Sequence, residues 1–219
     1  MKIILAVVLT FTLAACTDDG PASDEAVLQD IVVIDEITSQ STTFAVSLPG
    51  SDKVAFLKTG KVLSGDDAEP GKCCLIRYTT PAEPYTSADI DLLGCYAVPN
   101  LEASVAVPEE IAGYSDTPVY LISAWSFCNR VIFRMELPYP ANDRRLMLLL
   151  NPETAGESVP EFRLIQDMPE SADKSYMKSY IVAFSLDQIN EKKDWKGVKI
   201  CLNNSNLKEN VVTLNMLNE

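Results

Sequence analysis

The 219-residue chain contains no histidine. That absence removes the commonest general base, the commonest metal ligand and every Ser-His or Cys-His nucleophile pair. No Gly-x-Ser-x-Gly elbow offers another route to serine chemistry. Cys-x-x-Cys pairs are missing, so a zinc site is not expected, and no D-x-[DN]-x-[DN]-G spacing supplies a calcium loop. The expectation is a protein that is not an enzyme and holds no metal and no cofactor. Basic residues are also scarce: 18 Lys and Arg stand against 31 Asp and Glu, a net charge of −13. Nucleic acid, whose phosphates demand a basic face, is therefore excluded as a partner.

The N-terminal apolar run, Ile3 to Leu13, falls short of the ~20 residues that a bilayer-spanning helix needs. It follows Lys2 and leads into Leu13-Ala14-Ala15-Cys16, small residues just before a cysteine. A positive n-region, a short apolar h-region and this lipobox read as a lipoprotein export signal over residues 1–15, with Cys16 as the lipidated N-terminus. At ~0.8 kcal/mol per buried methylene, two or more acyl chains make such an anchor effectively permanent. Residues 16–29 open with Thr17-Asp18-Asp19-Gly20-Pro21, polar and acidic, and are expected to form a self-repelling tether. Acids directly after the cysteine resemble the surface-export signal of Bacteroidetes lipoproteins. The expected location is the outer membrane, lipid-anchored and facing the cell surface, with the periplasmic face as the alternative.

Five further cysteines, Cys73, Cys74, Cys95, Cys128 and Cys201, are an odd number for an exported chain. They are expected to be reduced and to act mostly as small apolar fillers. A Cys73–Cys95 or Cys74–Cys95 bridge is the alternative. In a strand, Cys73 and Cys74 point to opposite faces, which suggests one buried and one exposed.

After residue 30 nearly every apolar segment is short, β-branched or aromatic, and bounded by turn residues. Ile31–Ile34, Phe44–Leu48, Val54–Leu57, Cys73–Thr79 and Ile90–Val98 predict five strands in residues 30–108, suited to a small barrel. Cys74, Ile76 and Tyr78 share one face there, and Gly94 predicts a bulge or a close backbone approach. Pro49-Gly50-Ser51-Asp52 and Pro70-Gly71 read as turns. Pro99 to Gly113 reads as a seam, with one helical turn starting at Pro108. Residues 109–219 predict about seven strands, around Val119–Ile122, Val131–Met135, Leu146–Leu150, Phe162–Ile165, Tyr180–Leu186, Val198–Leu202 and Val211–Met216. That count fits a sandwich. Leu146–Leu150 reads as buried on both faces, and Asp187–Asp194 as a short helix. Trp125 is expected to anchor the sandwich core, and Trp195, between Asp194 and Lys196, to be partly exposed.

The order of segments resembles the NigD-like lipoproteins of Bacteroidetes. The residues that carry the resemblance are the lipobox, the strand Pro70-Gly71-Lys72-Cys73-Cys74-Leu75-Ile76-Arg77-Tyr78, and the closing strand Ile90-Asp91-Leu92-Leu93-Gly94-Cys95-Tyr96. Thr117-Pro118-Val119-Tyr120-Leu121-Ile122-Ser123-Ala124-Trp125 stands at the start of the second domain. The chain departs from the family in lacking a histidine near Arg144-Arg145. The resemblance implies an all-β chain: a five-stranded OB-like barrel followed by an immunoglobulin-like β-sandwich.

Carboxylate pairs at Asp66-Asp67, Asp89 with Asp91, and Glu109-Glu110 are expected to be solvated rather than catalytic. Asp187–Asp194 offers weak cation binding only. Tyr78, Tyr85 and Tyr96 could line a barrel face, though Tyr78 and Tyr96 are better read as packing groups. The ligand-binding residues are left unassigned, and Cys16 is the one site residue named. The functional expectation is a membrane-anchored, non-catalytic binding or accessory module with an envelope-protein or glycan partner. The alternative is an interaction or structural lipoprotein with a protein partner, in an immunity-like role.

Overall fold

The computed structural model describes residues 26–47, 53–65, 68–83, 86–139, 144–169, 176–190 and 194–216. Cys16, the signal, most of the tether, the Pro49–Asp52 turn, Asp66-Asp67 and Tyr85 lie outside the described residues. No helix among the described residues is long and apolar enough to cross a membrane.

The chain is all-β, built as three mixed sheets. The first contains β1 (Leu28–Ile37), β2 (Thr42–Ser47), β3 (Val54–Thr59), β4 (Cys73–Thr79), β5 (Ala88–Asp89) and β6 (Asp91–Ala97). Its order is β5-β3-β2-β1-β4-β6, so six strands stand where five were expected, and the sheet is not closed into a continuous barrel. Its two edges are nevertheless neighbours in the chain. β5 pairs parallel with β3, β6 pairs antiparallel with β4, and Ile90 between them donates its N–H to Lys58 O at 2.8 Å. The predicted bulge is present: the β4–β6 register jumps from Arg77 opposite Gly94 to Tyr78 opposite Leu92, which leaves Leu93 unmatched.

Strand periodicity sorts this sheet's side chains between two cores. Val32, Ile34, Phe44, Val46, Leu57, Cys74, Ile76 and Tyr78 fill one face. Val33, Ala45 and Cys73 sit on the other and pack against Phe127, Ile132 and Ala183 of the second half. Cys73 and Cys74 do face opposite ways, but both are buried, because the outward face is itself covered.

The seam is woven into the second half. After β7 (Asn100–Glu102) and β8 (Ser104–Val105) comes the single helical turn α1 (Pro108–Ile111). The seven predicted strands follow as β9 (Tyr120–Phe127), β10 (Arg130–Tyr139), β11 (Arg145–Leu150), β12 (Glu161–Asp167), β13 (Tyr176–Ser185), β14 (Gly197–Leu202) and β15 (Val211–Asn215), with α2 (Asp187–Asn190) after β13. β7 adds to one sheet, β7-β13-β10-β9, and β8 to the other, β15-β14-β12-β11-β8. These two sheets face each other across a core that includes Phe133, Leu137, Leu150, Phe162, Phe184 and Trp195. β11 is covered on both sides near its C-terminal end, where Leu148 and Leu150 enter that core and Leu149 packs with Ala106 and Ile165.

The tryptophan roles are the reverse of those expected. Trp195 is 2 % exposed and meets Phe162 edge-on, with ring centroids 5.7 Å apart. Asp194 and Lys196 point outward because these residues extend the strand alternation ahead of β14: Lys196 donates its N–H to Ser158 O, and its carbonyl accepts from Met216 N. Trp125 lies in the cluster between the halves.

One polar device joins the halves, and a second braces the hairpin beside it. The Asn100 amide brackets the start of β4, accepting from Cys73 N at 2.7 Å and donating to Cys73 O at 3.0 Å. The hairpin turn Cys128-Asn129 has φ of 47° and 53°, the left-handed pair of a type I′ turn, without the Asn-Gly sequence that usually announces one. It aims Arg130, which donates to Cys128 O at 2.7 Å and Asp187 Oδ2 at 2.9 Å.

Candidate functional site

Cations, tyrosines and cavities gather at one end of the second half. The loop before β9 supplies Tyr114 and Ser115. The end of β10 supplies Tyr139, and the residues opening β11 supply Arg144 and Arg145. Asp167 and Met168 come from the end of β12, and Tyr176, Lys178 and Tyr180 from the start of β13. Residues 176, 178 and 180 share a face because strand side chains alternate. Tyr139 stands opposite Tyr176 in the β10–β13 register.

The side chains form a ladder in which rings and cations alternate. Tyr139 and Tyr176 lie 5.0 Å apart between centroids and are tilted by 37°. The Lys178 ammonium sits 5.2 Å from the Tyr139 ring centre and 5.9 Å from that of Tyr180. The Arg144 guanidinium covers the same Tyr180 ring at 5.0 Å. Arg145 lies over Tyr114 at 5.7 Å. Each of the four cation contacts sets a positive charge against a π system.

Two cavities adjoin at Tyr114. The larger, about 660 Å3, is lined by Gly113, Tyr114, Ser115, Arg144, Arg145, Asp167, Met168 and Pro169. The smaller, about 360 Å3, runs under α1, with Ala106, Ile111, Leu149 and Phe162 as apolar walls and Asp116, Glu161, Arg163 and Cys201 as polar ones. The larger is an open depression and the smaller a more enclosed cleft.

Asp167 organises the larger cavity. It accepts from Ser115 N at 3.1 Å and Ser115 Oγ at 3.0 Å, and from Arg145 Nε at 3.1 Å and Nη2 at 2.5 Å. The Ser115 backbone N–H, and after it Arg145 and the Ser115 hydroxyl, hold the Asp167 carboxyl below its ordinary range. Arg145 is thus matched to a carboxylate. Arg144 and Lys178 make no ion pair with any carboxylate among the described residues. Arg144 donates to Pro138 O, and its Nε is buried with no hydrogen-bond partner.

In the smaller cavity, Arg163 pairs with Asp116 at 2.7 Å, and Glu161 of its wall pairs with Lys199 outside it at 2.8 Å. The Glu161 carboxylate raises the Lys199 pKa, while burial, followed by Glu161, raises that of the Cys201 thiol. None of the five described cysteines forms a disulfide. Burial pushes Cys73 up to about 12. Cys74 and Cys95, diagonal neighbours across β4 and β6, share an S–H···S contact that raises Cys74 and lowers Cys95.

The residues singled out from the sequence lie elsewhere. Asp91 is exposed and 3.6 Å from Lys61, and Glu110 caps its own helical turn through Val107 N at 3.3 Å. Tyr78 is a packing group as expected, its hydroxyl donating to Asp30 at 2.7 Å. Tyr96 is not: it is 49 % exposed. The bulge gives Cys95 the inward position, and Tyr96 lies outward across Gly94, its hydroxyl 3.0 Å from where a Cβ would stand. No group of three or more described His, Cys, Asp or Glu residues is placed to hold a metal. The ladder escaped sequence reading, although Tyr176-x-Lys178-x-Tyr180 is a period-two signal that could have found it.

No protein-family model and no curated protein matches the sequence. Solved structures do. A protein of unknown function from Bacteroides vulgatus superposes with a TM-score of 0.66 at 16% identity, over 87% of this chain and 90% of that one. A candidate lipoprotein from Bacteroides fragilis gives 0.60 at 11% identity, over 87% and 98%. A NigD-like immunity protein from Bacteroides caccae gives 0.54 at 15%, over 85% and 90%. At these identities the likeness is one of fold, and the fold of this chain is that of the NigD-like proteins of Bacteroidetes.

Proposed function

We propose that the protein is a non-catalytic envelope lipoprotein, held to the outer membrane through Cys16, that binds a ligand at the cation–tyrosine end of its second half. The observation that carries the binding reading is the ladder itself: stacked rings and two cations with no carboxylate partner among the described residues, one of which, Arg144, also lines the cavity of about 660 Å3. The missing histidine and the buried, raised Cys73 and Cys74 thiols support a non-catalytic role. The lipobox supports the anchor, as does the fold shared with the Bacteroides fragilis candidate lipoprotein. The acidic residues after Cys16 support an outward orientation.

In this reading the first sheet is an open, OB-like sheet that curls toward a barrel without closing, supported by the β1-β2-β3 meander, the parallel β3–β5 pair and the adjacency of β5 and β6 in the chain. The two later sheets are an immunoglobulin-like sandwich, supported by their shared core. A protein partner is the second reading, favoured by exposed Tyr120 and Ile122 on the edge strand β9 and by the fold shared with an immunity protein. Thermal-shift screening of the mature protein against sugars, acidic small molecules and peptides tests the binding reading. A ligand whose effect is lost in Lys178→Gln supports it, and a panel with no effect overturns it. Labelled fatty acid entering the wild type but not Cys16→Ala tests the anchor.

A further inference from the structure

We infer that Cys74 and Cys95 are a dithiol that closes to a disulfide by exchange with an external disulfide, fastening β6 to β4. Envelope location, where such oxidants persist, is the reading proposed above; the contact between the two thiols is a property of the fold. The residue order alone offers Cys73 or Cys74 as the partner of Cys95, and the strand pleat separates them. Cys74 lies on the face of β4 that carries Ile76 and Tyr78, while Cys73 lies on the other face with Cys128, against the second half. The bulge brings Cys95 to the Cys74 side. Plain alternation from buried Leu92 would turn Gly94 and Tyr96 inward and Cys95 outward. Unmatched Leu93 reverses that order, and Cys95 packs against the cluster that holds Cys74. Cys95 stands opposite Ile76 and Cys74 opposite Ala97, so the two are diagonal neighbours, joined by their S–H···S contact. Diagonal residues lie about 7–8 Å apart and a disulfide spans up to about 6.8 Å between Cα atoms, so closure takes an approach of about 1 Å. β6 is free to make it, because it is the edge of a sheet that does not close and has β4 as its neighbour.

The two thiols divide the work. Cys74 is 3 % exposed, whereas Cys95 is half-buried and within reach of a reagent. The hydrogen bond from Cys74 holds the Cys95 thiol below its ordinary range, which makes Cys95 the entering nucleophile. Its thiolate attacks one sulfur of the external disulfide, forming a mixed disulfide and expelling one thiolate. Cys74 then gives its proton to solvent and attacks the Cys95 sulfur, expelling the second thiolate. Two protein thiols are oxidised, and the external disulfide takes two electrons and two protons to become two thiols.

Oxidised glutathione added to the purified mature protein, followed by acid quenching, thiol alkylation and peptide mass spectrometry, tests the pairing. Cys74 and Cys95 should be lost together from the five alkylated thiols as one internal disulfide, in the wild type and in Cys73→Ser alike. Cys74→Ser should stop at a mixed glutathione disulfide on Cys95, and Cys95→Ser should leave buried Cys74 reduced. Cys74→Ala, which puts no hydroxyl into the core, gives the same readout if Cys74→Ser unfolds. A wild type that stops at glutathionylated Cys95, a bond from Cys73 to Cys95 or Cys128, or five thiols still alkylated overturns the assignment. Acid-quenched and fractionated cells separate it from the location. An oxidised pair in the membrane fraction supports both, and a reduced pair in that fraction overturns closure in the cell. Protein recovered reduced from the cytoplasm, while the purified protein closes the bond, overturns the envelope location and leaves the pairing standing.

Discussion

Replacing Trp195 with alanine probes the second half at its centre. The ring is 2 % exposed, so the variant uncovers nearly all the area that a buried aromatic removes from water, about 150–250 Å2. At roughly 25 cal/mol per Å2 that is about 4–6 kcal/mol, an upper bound because the unfolded chain is already partly collapsed. The edge-on contact with Phe162 adds about 1 kcal/mol, and the long 3.4 Å bond from Trp195 Nε1 to Ala155 O adds little. Large-to-small replacements of buried aromatics cost about 3–5 kcal/mol, and a loss of about 4 kcal/mol is expected here. Urea unfolding followed by far-ultraviolet circular dichroism measures it. The chain has two tryptophans, so emission in the variant comes from Trp125 alone and reports the contact between the halves. The second half should lose its stability while Trp125 keeps a native spectrum in the absence of urea. A loss below about 1 kcal/mol would place Trp195 near the surface and refute the packing described.

Asn100→Ala removes both hydrogen bonds to Cys73 and should cost about 1–3 kcal/mol, with faster amide exchange at Cys73. Gly71 has φ of 86°, and a Cβ there would stand 3.0 Å from Arg130 Nη2, so Gly71→Ala should lower the melting temperature by an amount equivalent to about 1–3 kcal/mol. The Asp167 carboxyl is held below its unfolded value of about 3.9, so its contribution is complete above that value and is lost as pH falls through the folded value; Asp167→Asn should flatten the acid limb of a stability–pH curve. Burial pushes the Cys73 thiol up to about 12, so alkylation of the native protein at pH 8 should reach half-buried Cys95 before Cys73, as read by peptide mass spectrometry.

Much of the fold is legible in the sequence, because strand alternation writes burial directly into the residue order. Cys74, Ile76 and Tyr78 share the predicted face, the bulge sits beside Gly94, and all seven later strands are found. What escaped depends on long-range neighbours. The Cys73-Cys74 alternation reads as one buried and one exposed thiol until the second half covers Cys73, and Trp195 reads as partly exposed because its flanking charges hide a strand extension. β7 and β8 are too short to signal their pairing with β13 and β11. The type I′ turn at Cys128-Asn129 lacks its usual glycine. The candidate site was the least legible part, since it joins residues from the loop before β9 and from β10, β11, β12 and β13, and only Tyr176-x-Lys178-x-Tyr180 is local.

The central claim, that the cation–tyrosine end is where this protein holds its ligand, is tested most directly by comparing melting temperatures of the wild type and an Arg144→Gln/Lys178→Gln double variant across a ligand panel. At a concentration about 100 times Kd, a bound ligand stabilises by about 2.7 kcal/mol, which for a chain of this size is a rise of about 5–10 °C. At least one ligand class should raise the wild type by that order and leave the double variant unmoved. A ligand that raises both equally would place the binding site elsewhere and contradict the account.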